Sequence, residues 1–430
     1  MSRGVSVRPE TGELVGTEVD LRVDNVAHGG WCVGRHDEQV VFVRHALPGE
    51  RVRARVTSQT KRFLRADAVE IIESSPDRVQ PPCPYAGPGK CGGCDWQHAS
   101  LEAQRRLKGE VVADQLRRIA GIDREVVVEE LPGASDGLGW RTRVRFAVDD
   151  EGRPGFRRHR SHEVHPVDEC AIAHPDVNAL GVTDTTWRGF TEVEAITSAS
   201  HADNAVVVTP RSARLPALPP LRESTAVLRR FKGGRLQQVR GRRGVRETVG
   251  DREYRVSAGS FWQVHPGAAS ALSEAVLDAL RPEPGDTALD LYCGAGLFAG
   301  ALAGAVGPQG RVLGVESESE AARDARHNLR DMPWVRVEQA DVGAQLREWV
   351  DMRVDVAVVD PPRAGVGEVV AEQLAELRNR RVAYVSCDPA TLARDLGAFI
   401  GAGYTLEEVR AFDSFPMTHH VECVATLSRE

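Results

Sequence analysis

The stretch DLYCGAGLF at residues 290–298 decides the fold class of this chain. It follows a short apolar segment and leads into the alanine- and leucine-rich segment GLFAGALAGA, so it predicts a strand, a sharp turn and a helix. Gly294 and Gly296 allow the turn and let a ligand approach the backbone. The dinucleotide-binding fingerprint is incomplete, because Ala299 stands where its third glycine would fall.

The same rhythm of strand, turn and helix repeats through the chain after about residue 256. Alternation of this kind predicts an α/β fold with a mostly parallel sheet covered on both faces. Ligands of such sheets bind beyond the carboxyl ends of the strands. The predicted strands end at Tyr292, Glu316, Asp341, Asp360 and Cys387. We therefore look for the chemistry of the protein at this edge.

Two acidic residues indicate which ligand the turn binds. Glu316 ends the second strand, where a carboxylate can accept hydrogen bonds from both hydroxyls of a ribose. Asp341, at the end of the third strand, is placed to contact an adenine amino group. These residues favour a nucleoside ligand without a pyrophosphate, and S-adenosylmethionine is the commonest such cofactor.

Cys387 is the candidate nucleophile. A cysteine at the end of a buried strand is usually a small core residue, but this one stands before a helix whose amino terminus would stabilise a thiolate. A thiolate that adds to carbon 6 of uracil makes carbon 5 able to attack a methyl sulfonium. A base must then remove the proton from carbon 5. Glu422 is the candidate base, because apolar Val421 and Val424 predict partial burial.

The length of 430 residues predicts two or three domains. Residues 12–73 predict about five strands in a small barrel of the oligonucleotide-binding type, either an RNA-binding module or a β-module without a ligand. Residues 74–255 predict a mixed central domain, whose helix at about 99–120 is expected to pack on the catalytic domain. Residues 256–430 predict a Rossmann-like catalytic domain.

Charge and composition indicate where the protein is located and which partners it can bind. The net charge is −7, yet residues 211–246 are rich in arginine, and such a run favours RNA contact and a solvated surface equally. The sequence shows no signal peptide and no apolar run long enough to span a membrane, so we expect a cytoplasmic protein without a membrane partner. We also expect a monomer. Without an export signal, the eight cysteines predict metal binding or catalysis instead of disulfides.

Several motifs in a fixed order resemble the RNA uridine-5 methyltransferases, the family of the bacterial tRNA and 23S rRNA enzymes. They are FWQ at 261–263, DLYCGAG at 290–296, DPPR at 360–363, SCDP at 386–389 and HVE at 420–422. The resemblance covers nearly the whole chain and implies an S-adenosylmethionine-dependent RNA methyltransferase with a TRAM-like N-terminal barrel. Its substrate would be 23S rRNA or tRNA, and the cysteine set and the barrel lean toward 23S rRNA.

The resemblance also implies the roles of individual residues. Cys387 would be the nucleophile, Glu422 the base, and Arg363 a residue that holds the site. The cofactor pocket would be lined by Gln263, Tyr292, Glu316, Asp341 and Asp360. Of these, Gln263 and Asp360 could also reach the uracil. Many rRNA enzymes of the family carry Asn where this chain has Leu297, so that contact is not transferred.

Four further cysteines predict a metal site. Cys83, Cys91 and Cys94 form the pattern C-x7-C-x2-C, and Cys170 follows later. Four thiolates at this spacing suit zinc or an iron–sulfur cluster. The family resemblance implies a [4Fe–4S] cluster that staples the central domain. Cys32, Cys293 and Cys423 are predicted to be packing residues.

Three alternative functions fit the sequence less well than uridine methylation. RNA cytosine-5 methyltransferases usually present a Pro-Cys pair after the fourth strand, whereas this chain has Asp360-Pro361-Pro362-Arg363. Methylation of an exocyclic amino group would favour an aromatic residue in place of Arg363. A non-catalytic iron–sulfur RNA-binding protein would not need Cys387, Glu422 and Gln263.

Overall fold

Five short strands at the N-terminal end close into a barrel. The computed structural model, which describes residues 12–222 and 224–429, orders them β1-β2-β3-β5-β4. Alternate residues of the first strand, among them Val19, Leu21 and Val23, point into the barrel core. The strands are β1 (Glu18–Ala27), β2 (Trp31–His36), β3 (Gln39–Arg44), β4 (Arg51–Gln59) and β5 (Phe63–Glu73). The predicted small barrel is therefore confirmed.

A long helix follows the cysteine-rich loop. Helix α1 (Leu101–Ala120) begins at Ser100, whose side chain accepts a hydrogen bond from the Ala103 amide, and ends at the left-handed Gly121. It packs against the helix at 389–401 of the catalytic domain. The short strand β6 (Val128–Glu129) then pairs with the last sheet of the chain. Ile119, in the last turn of α1, is 47% exposed.

The central part of the chain forms a seven-stranded sheet in the order β13-β12-β11-β10-β7-β8-β9. Its own core contains Trp187, Phe190 and Val193. The elements are β7 (Arg143–Val148), β8 (Pro154–Arg157), β9 (Val164–Pro166), α2 (Pro175–Asn178), β10 (Phe190–Thr197), β11 (Asn204–Pro210), β12 (Ala226–Arg230) and β13 (Leu236–Arg240). A two-stranded sheet of β14 (Gly244–Val249) and β15 (Arg252–Ser257) follows.

An eight-stranded sheet organises the C-terminal part, in the order β18-β17-β16-β19-β20-β22-β21-β6. Strands β16 to β20 are mutually parallel, whereas β22 runs antiparallel between β20 and β21. The helices are α3 (Ala268–Leu280), α4 (Leu297–Val306), α5 (Ser319–Asn328), α6 (Val342–Glu348), α7 (Gly367–Glu376) and α8 (Pro389–Gly401). The strands are β16 (Thr287–Leu291), β17 (Arg311–Glu316), β18 (Val335–Gln339), β19 (Val356–Val359), β20 (Arg381–Ser386), β21 (Thr405–Phe412) and β22 (Glu422–Ser428). The predicted mostly parallel α/β sheet is confirmed.

The basic stretch at residues 211–246 forms β12, β13 and the start of β14. Several of its arginines form ion pairs with acidic side chains of the same chain: Arg242 and Arg246 contact Asp203, and Arg243 contacts Glu320. Strand β13 is an exposed edge strand. Part of the run is therefore engaged in ion pairs at the protein surface, and RNA contact at this surface stays a prediction. In the described ranges of the chain, no helix has the length and apolar character needed to cross a bilayer.

Replacement of Gly109 by alanine tests the close approach of α1 to the strand that follows it. A Cβ atom at position 109 would overlap the Val126 carbonyl oxygen. We expect Gly109→Ala to lower the free energy of unfolding by about 1–3 kcal/mol, as overpacking does. Gly304→Ala is the matched control, because Gly304 is an exposed glycine of α4 with no atom within 4 Å of the added carbon. Urea denaturation of both variants measures the difference, and equal stability would contradict the packing argument.

Candidate active site

Backbone pairing between β20 and β22 brings Cys387 and Glu422 together. In this antiparallel pair Ser386 lies opposite Cys423. Cys387 directly follows the last residue of β20, and Glu422 is the first residue of β22, so the two residues lie at the same edge of the sheet. The Glu422 side chain is buried and its charge raises the pKa of Cys387. The structure thus joins the two residues that the sequence named separately.

The Cys387 thiol is protonated at neutral pH in the free protein. Burial, followed by the charge of Glu422, raises its pKa to about 11. The guanidinium of Arg363 opposes this shift and forms a hydrogen bond with the thiol. Burial and the charges of Glu422 and Asp360 therefore act against ionisation of the thiol, and stabilisation of the thiolate by the amino terminus of α8 stays a prediction.

Two carboxyl groups of the site are also shifted toward the protonated form. Burial raises the pKa of Asp360 to about 7. Burial, followed by the charge of Asp360, raises the pKa of Glu422 well above its usual value, and Arg363 again opposes the shift. Arg363 is held in place from α8, where the Thr391 hydroxyl donates to its carbonyl oxygen at 3.0 Å. The site therefore combines a thiol, two weak acids and one cation.

The glycine-rich turn after β16 is fixed by Glu316. The backbone of Tyr292 and Gly296 is left-handed, with φ of 68° and 92°, which lets the chain turn sharply. The Gly294 amide donates to one Glu316 carboxylate oxygen at 3.0 Å, and the Glu318 amide donates to the other at 2.6 Å. The carboxylate at the end of β17 is thereby held next to the turn, where a ribose would lie.

The remaining predicted pocket residues surround this turn. Asp341 caps α6 by accepting a hydrogen bond from the Ala344 amide at 2.9 Å. Burial, followed by the charge of Asp341, raises the pKa of Tyr292 to about 12, so the Asp341 and Tyr292 side chains lie near one another. Gln263 is buried in the loop between β15 and α3. Asp360 follows β19, and its amide donates to the Leu291 carbonyl at 3.2 Å, next to the same turn.

Asp290 is a site residue that the sequence reasoning missed. Its side chain is fully buried, and one oxygen accepts a hydrogen bond from the Ala299 amide at 2.6 Å. Within the part of the chain that the structure describes, the other oxygen has no partner. Burial, followed by the charges of Asp360 and Glu316, raises the pKa of Asp290 to about 8. The sequence feature that could have indicated Asp290 as a site residue is its position at the start of the DLYCGAGLF stretch.

The four cysteines predicted to bind metal line one pocket of about 230 Å³ between the cysteine-rich loop and the central sheet: Cys83, Cys91, Cys94 and Cys170. All are free thiols. Burial raises the pKa of Cys91 to about 11, and the neighbouring thiols add to this shift. In residues 12–222 and 224–429, however, no group of three or more His, Cys, Asp or Glu side chains is close enough together to hold a metal ion. The three cysteines that the sequence predicts to be packing residues, Cys32, Cys293 and Cys423, are buried.

The N-terminal barrel reaches the site through the turn between β1 and β2. The imidazole of His28 lies 3.3 Å from the carboxylate of Asp388, the residue that follows Cys387. A hydrogen bond with His28 is the largest cause that lowers the pKa of Asp388. The other Asp388 oxygen caps α8 by accepting from the Thr391 amide at 2.9 Å. A barrel residue therefore touches the segment that carries the candidate nucleophile.

Comparison with known proteins identifies the family. A family model described as tRNA (uracil-5-)-methyltransferase matches residues 237–430, and a TRAM domain model matches residues 12–69. A 23S rRNA (uracil(1939)-C(5))-methyltransferase, RlmD, of Alkalilimnicola ehrlichii is 33% identical over 445 residues, covering 96% of each chain. The chain belongs to the RNA uracil-5 methyltransferase family. It is an S-adenosylmethionine-dependent RNA methyltransferase with an N-terminal TRAM domain.

Two further relatives of this RNA methyltransferase extend the comparison. A Streptomyces avermitilis protein described as an uncharacterized RNA methyltransferase is 54% identical over 427 residues, covering 96% of this chain and 98% of that protein. The crystal structure of Pyrococcus abyssi tRNA (uracil-54, C5)-methyltransferase, in complex with S-adenosyl-L-homocysteine, superimposes with a TM-score of 0.72. It covers 96% of this chain and all of that chain at 24% identity, so it shows a shared fold.

Alkylation of Cys387 tests the electrostatics of the site in the RNA-free methyltransferase. Because only the thiolate reacts and its pKa is raised to about 11, we expect the rate with iodoacetamide to rise about tenfold per pH unit from pH 7 to pH 9. Arg363→Gln should slow the reaction about tenfold at pH 8, since a nearby opposite charge shifts a pKa by about one unit or more. Peptide mass spectrometry locates the adduct.

Arg353→Gln is the matched control for that experiment, because it removes an arginine whose side chain is 90% exposed. A rate that levels off below pH 9 in the wild-type protein would contradict the raised pKa.

Proposed function

We propose that this methyltransferase transfers a methyl group to carbon 5 of a uridine in RNA, with Cys387 as the nucleophile and Glu422 as the base. The observation that carries the proposal is the pairing of β20 with β22, which sets the thiol and the carboxyl side by side. A nucleophile and a base must flank the same ring for addition and elimination to occur on neighbouring carbons. Family membership supports this reaction class.

In the proposed reaction, the Cys387 thiol loses its proton to solvent and the thiolate forms a bond to carbon 6, while the electrons of the 5,6 double bond move to carbon 5 and the adjacent carbonyl. Arg363 lies beside the thiol and stabilises its ionised form. S-adenosylmethionine would supply the methyl group that carbon 5 takes and would leave as S-adenosylhomocysteine. Glu422, in its ionised form, then accepts the proton of carbon 5, the double bond re-forms, and the bond to the Cys387 sulfur breaks.

The cofactor pocket is proposed to form around the turn after β16. Glu316, held by the Gly294 and Glu318 amides, would bind the ribose hydroxyls, and Asp341 would bind the adenine. Tyr292 would cover the cofactor. Gln263 and Asp360 would border both cofactor and uracil, and the raised pKa of Asp360 lets its carboxyl donate a hydrogen bond to a uracil oxygen.

We propose 23S rRNA as the substrate, in preference to tRNA. The RlmD relative, whose name specifies 23S rRNA, is similar to this chain over almost its whole length. The family model is named for tRNA, and so is the Pyrococcus abyssi enzyme of the same fold. The N-terminal barrel and the four clustered cysteines favour the rRNA substrate.

We also propose that Cys83, Cys91, Cys94 and Cys170 hold a [4Fe–4S] cluster. Their donor set fits such a group, because four free thiols border one pocket, and burial followed by the charges of the other three thiols raises the pKa of Cys94. A bound metal centre would favour the thiolate forms and draw the four sulfurs together. When bound, it would link the cysteine-rich loop to the central sheet.

Transfer of a labelled methyl group into total RNA tests the proposed reaction and substrate. Wild-type enzyme should give 5-methyluridine in the 23S rRNA fraction after nuclease digestion, and Cys387→Ala should reduce incorporation to background, because carbon 5 is not activated without the thiolate. Cys32→Ala, a buried cysteine of the barrel, is the matched control. Incorporation by Cys387→Ala equal to wild type would refute the mechanism, and label in tRNA alone would refute the substrate.

The base is tested by trapping the covalent intermediate. Glu422→Gln cannot accept the proton of carbon 5, so methylation should proceed and the protein–RNA bond should persist. A band of retarded mobility on a denaturing gel, absent from Cys387→Ala/Glu422→Gln, is the expected result. Normal turnover by Glu422→Gln without such a band would remove Glu422 from this role.

The cluster is tested by metal analysis of anaerobically purified protein. We expect iron and acid-labile sulfide in the wild-type protein and their loss in Cys91→Ser. Because the cluster would staple the cysteine-rich loop, Cys91→Ser should weaken folding or RNA binding more than S-adenosylmethionine binding. Zinc in place of iron would overturn the cluster, and a soluble Cys91→Ser protein with wild-type RNA affinity would overturn the stapling role.

A further inference from the structure

The loop that precedes Glu422 is buried and is held from outside the catalytic domain. Residues 413–421 connect β21 to β22, and most of them are buried. A buried loop needs partners for its polar groups, because water cannot supply them. Since Glu422 is the first residue of β22, the conformation of this loop fixes where its carboxyl group lies.

Helix α1 supplies the first set of partners. The ammonium of Lys108, which is fully buried, lies 2.5 Å from the Asp413 carboxylate and donates to the Phe415 carbonyl at 3.0 Å. The side-chain oxygen of Gln104 accepts from the Met417 amide at 2.8 Å. The Gln104 amide group donates to the Ala99 carbonyl at 2.9 Å, which fixes its orientation. The contacts that Lys108 and Gln104 make with the loop are not part of the hydrogen bonding within α1, because the loop lies more than 300 residues further along the chain.

The cysteine-rich loop supplies the second set. The amides of Asp95 and Trp96 both donate to the Met417 carbonyl, at 3.1 and 3.0 Å. The Asp95 carboxylate lies 2.6 Å from Nδ1 of His419. Met417 has a left-handed backbone with φ of 66°, a strained conformation for a residue other than glycine. Its amide and carbonyl are thus bound from Gln104, Asp95 and Trp96, which explains how the strained turn is maintained.

From these contacts we infer that Gln104, Lys108 and Asp95 are positioning residues for proton removal, acting through the 413–421 loop on Glu422. The inference rests on the proposed roles of Cys387 and Glu422. Asp95 directly follows Cys94, so the hydrogen bonds of Asp95 join the cysteine-rich loop to the 413–421 loop. A displacement of about 1 Å at a reacting group can cost up to about 100-fold in rate. The step that depends on Glu422 is elimination, which follows methyl transfer.

Gln104→Met tests the inference under single-turnover conditions with labelled S-adenosylmethionine and unmethylated 23S rRNA. The variant keeps the size of the side chain but removes the acceptor of the Met417 amide. We expect methyl transfer to change less than about threefold and release of the covalent adduct to slow about tenfold or more, because only proton removal is impaired. The adduct should accumulate on a denaturing gel, while S-adenosylmethionine affinity stays within about twofold of wild type. Gln104→Glu, which keeps the acceptor, should restore release in part.

A second variant distinguishes loss of positioning from misfolding of the protein. Lys108→Met combined with Asp413→Leu replaces the buried ion pair by apolar side chains, an exchange that often preserves stability. It removes the bond to the Phe415 carbonyl, so it should show the same accumulation of adduct. Circular dichroism and thermal melting establish that both variants are folded.

Glu422→Gln on the same gel separates this inference from the proposed function. If Glu422→Gln traps no adduct, the proposed base itself is wrong. If it traps the adduct while the folded Gln104→Met and Lys108→Met/Asp413→Leu variants release it at the wild-type rate, the positioning role is overturned. Equal slowing of methyl transfer and release would also overturn it, because a general structural defect would affect both steps.

Discussion

The hydrogen-bonded register between β20 and β22 is the constraint on which the candidate site depends. Strand β22 enters the sheet antiparallel between β20 and β21, so it begins at the edge where the parallel strands end. Cys387 leaves β20 at that edge and Glu422 starts β22 there. A shift of one residue would turn the Glu422 side chain to the other face of the sheet. Backbone pairing thus determines which residues meet at the site, and the contacts of the 413–421 loop determine where the Glu422 carboxyl lies.

Burial gives the site its electrostatic character. The pKa values of Asp290, Asp360, Glu422 and Cys387 are all raised, with loss of water as the largest cause. Arg363 is the cation that opposes the shifts at Cys387 and Glu422. The free enzyme therefore holds Cys387, the candidate nucleophile, as a thiol. We expect bound RNA and cofactor to rearrange these charges, and the positive sulfonium of S-adenosylmethionine would favour ionisation of the neighbouring acids.

All three parts of the chain meet at the catalytic edge. The barrel contributes His28, which binds Asp388 next to the candidate nucleophile. The cysteine-rich loop and α1 contribute Asp95, Gln104 and Lys108, which bind the loop before the candidate base. RNA bound to the barrel would therefore contact an element that is directly bonded to the site.

The class of fold, the barrel and the identity of the candidate residues could be predicted from the sequence, because these depend on local features. Alternation of apolar residues marks strands, glycines mark the turn after β16, and Cys387 and Glu422 stand in recognisable motifs. The folded structure was needed to show that β22 lies between β20 and β21, that one oxygen of the buried Asp290 has no partner among the described residues, and that Lys108 pairs with Asp413. Those features depend on groups as far as 305 residues apart, and local periodicity does not encode which distant partner a residue will meet.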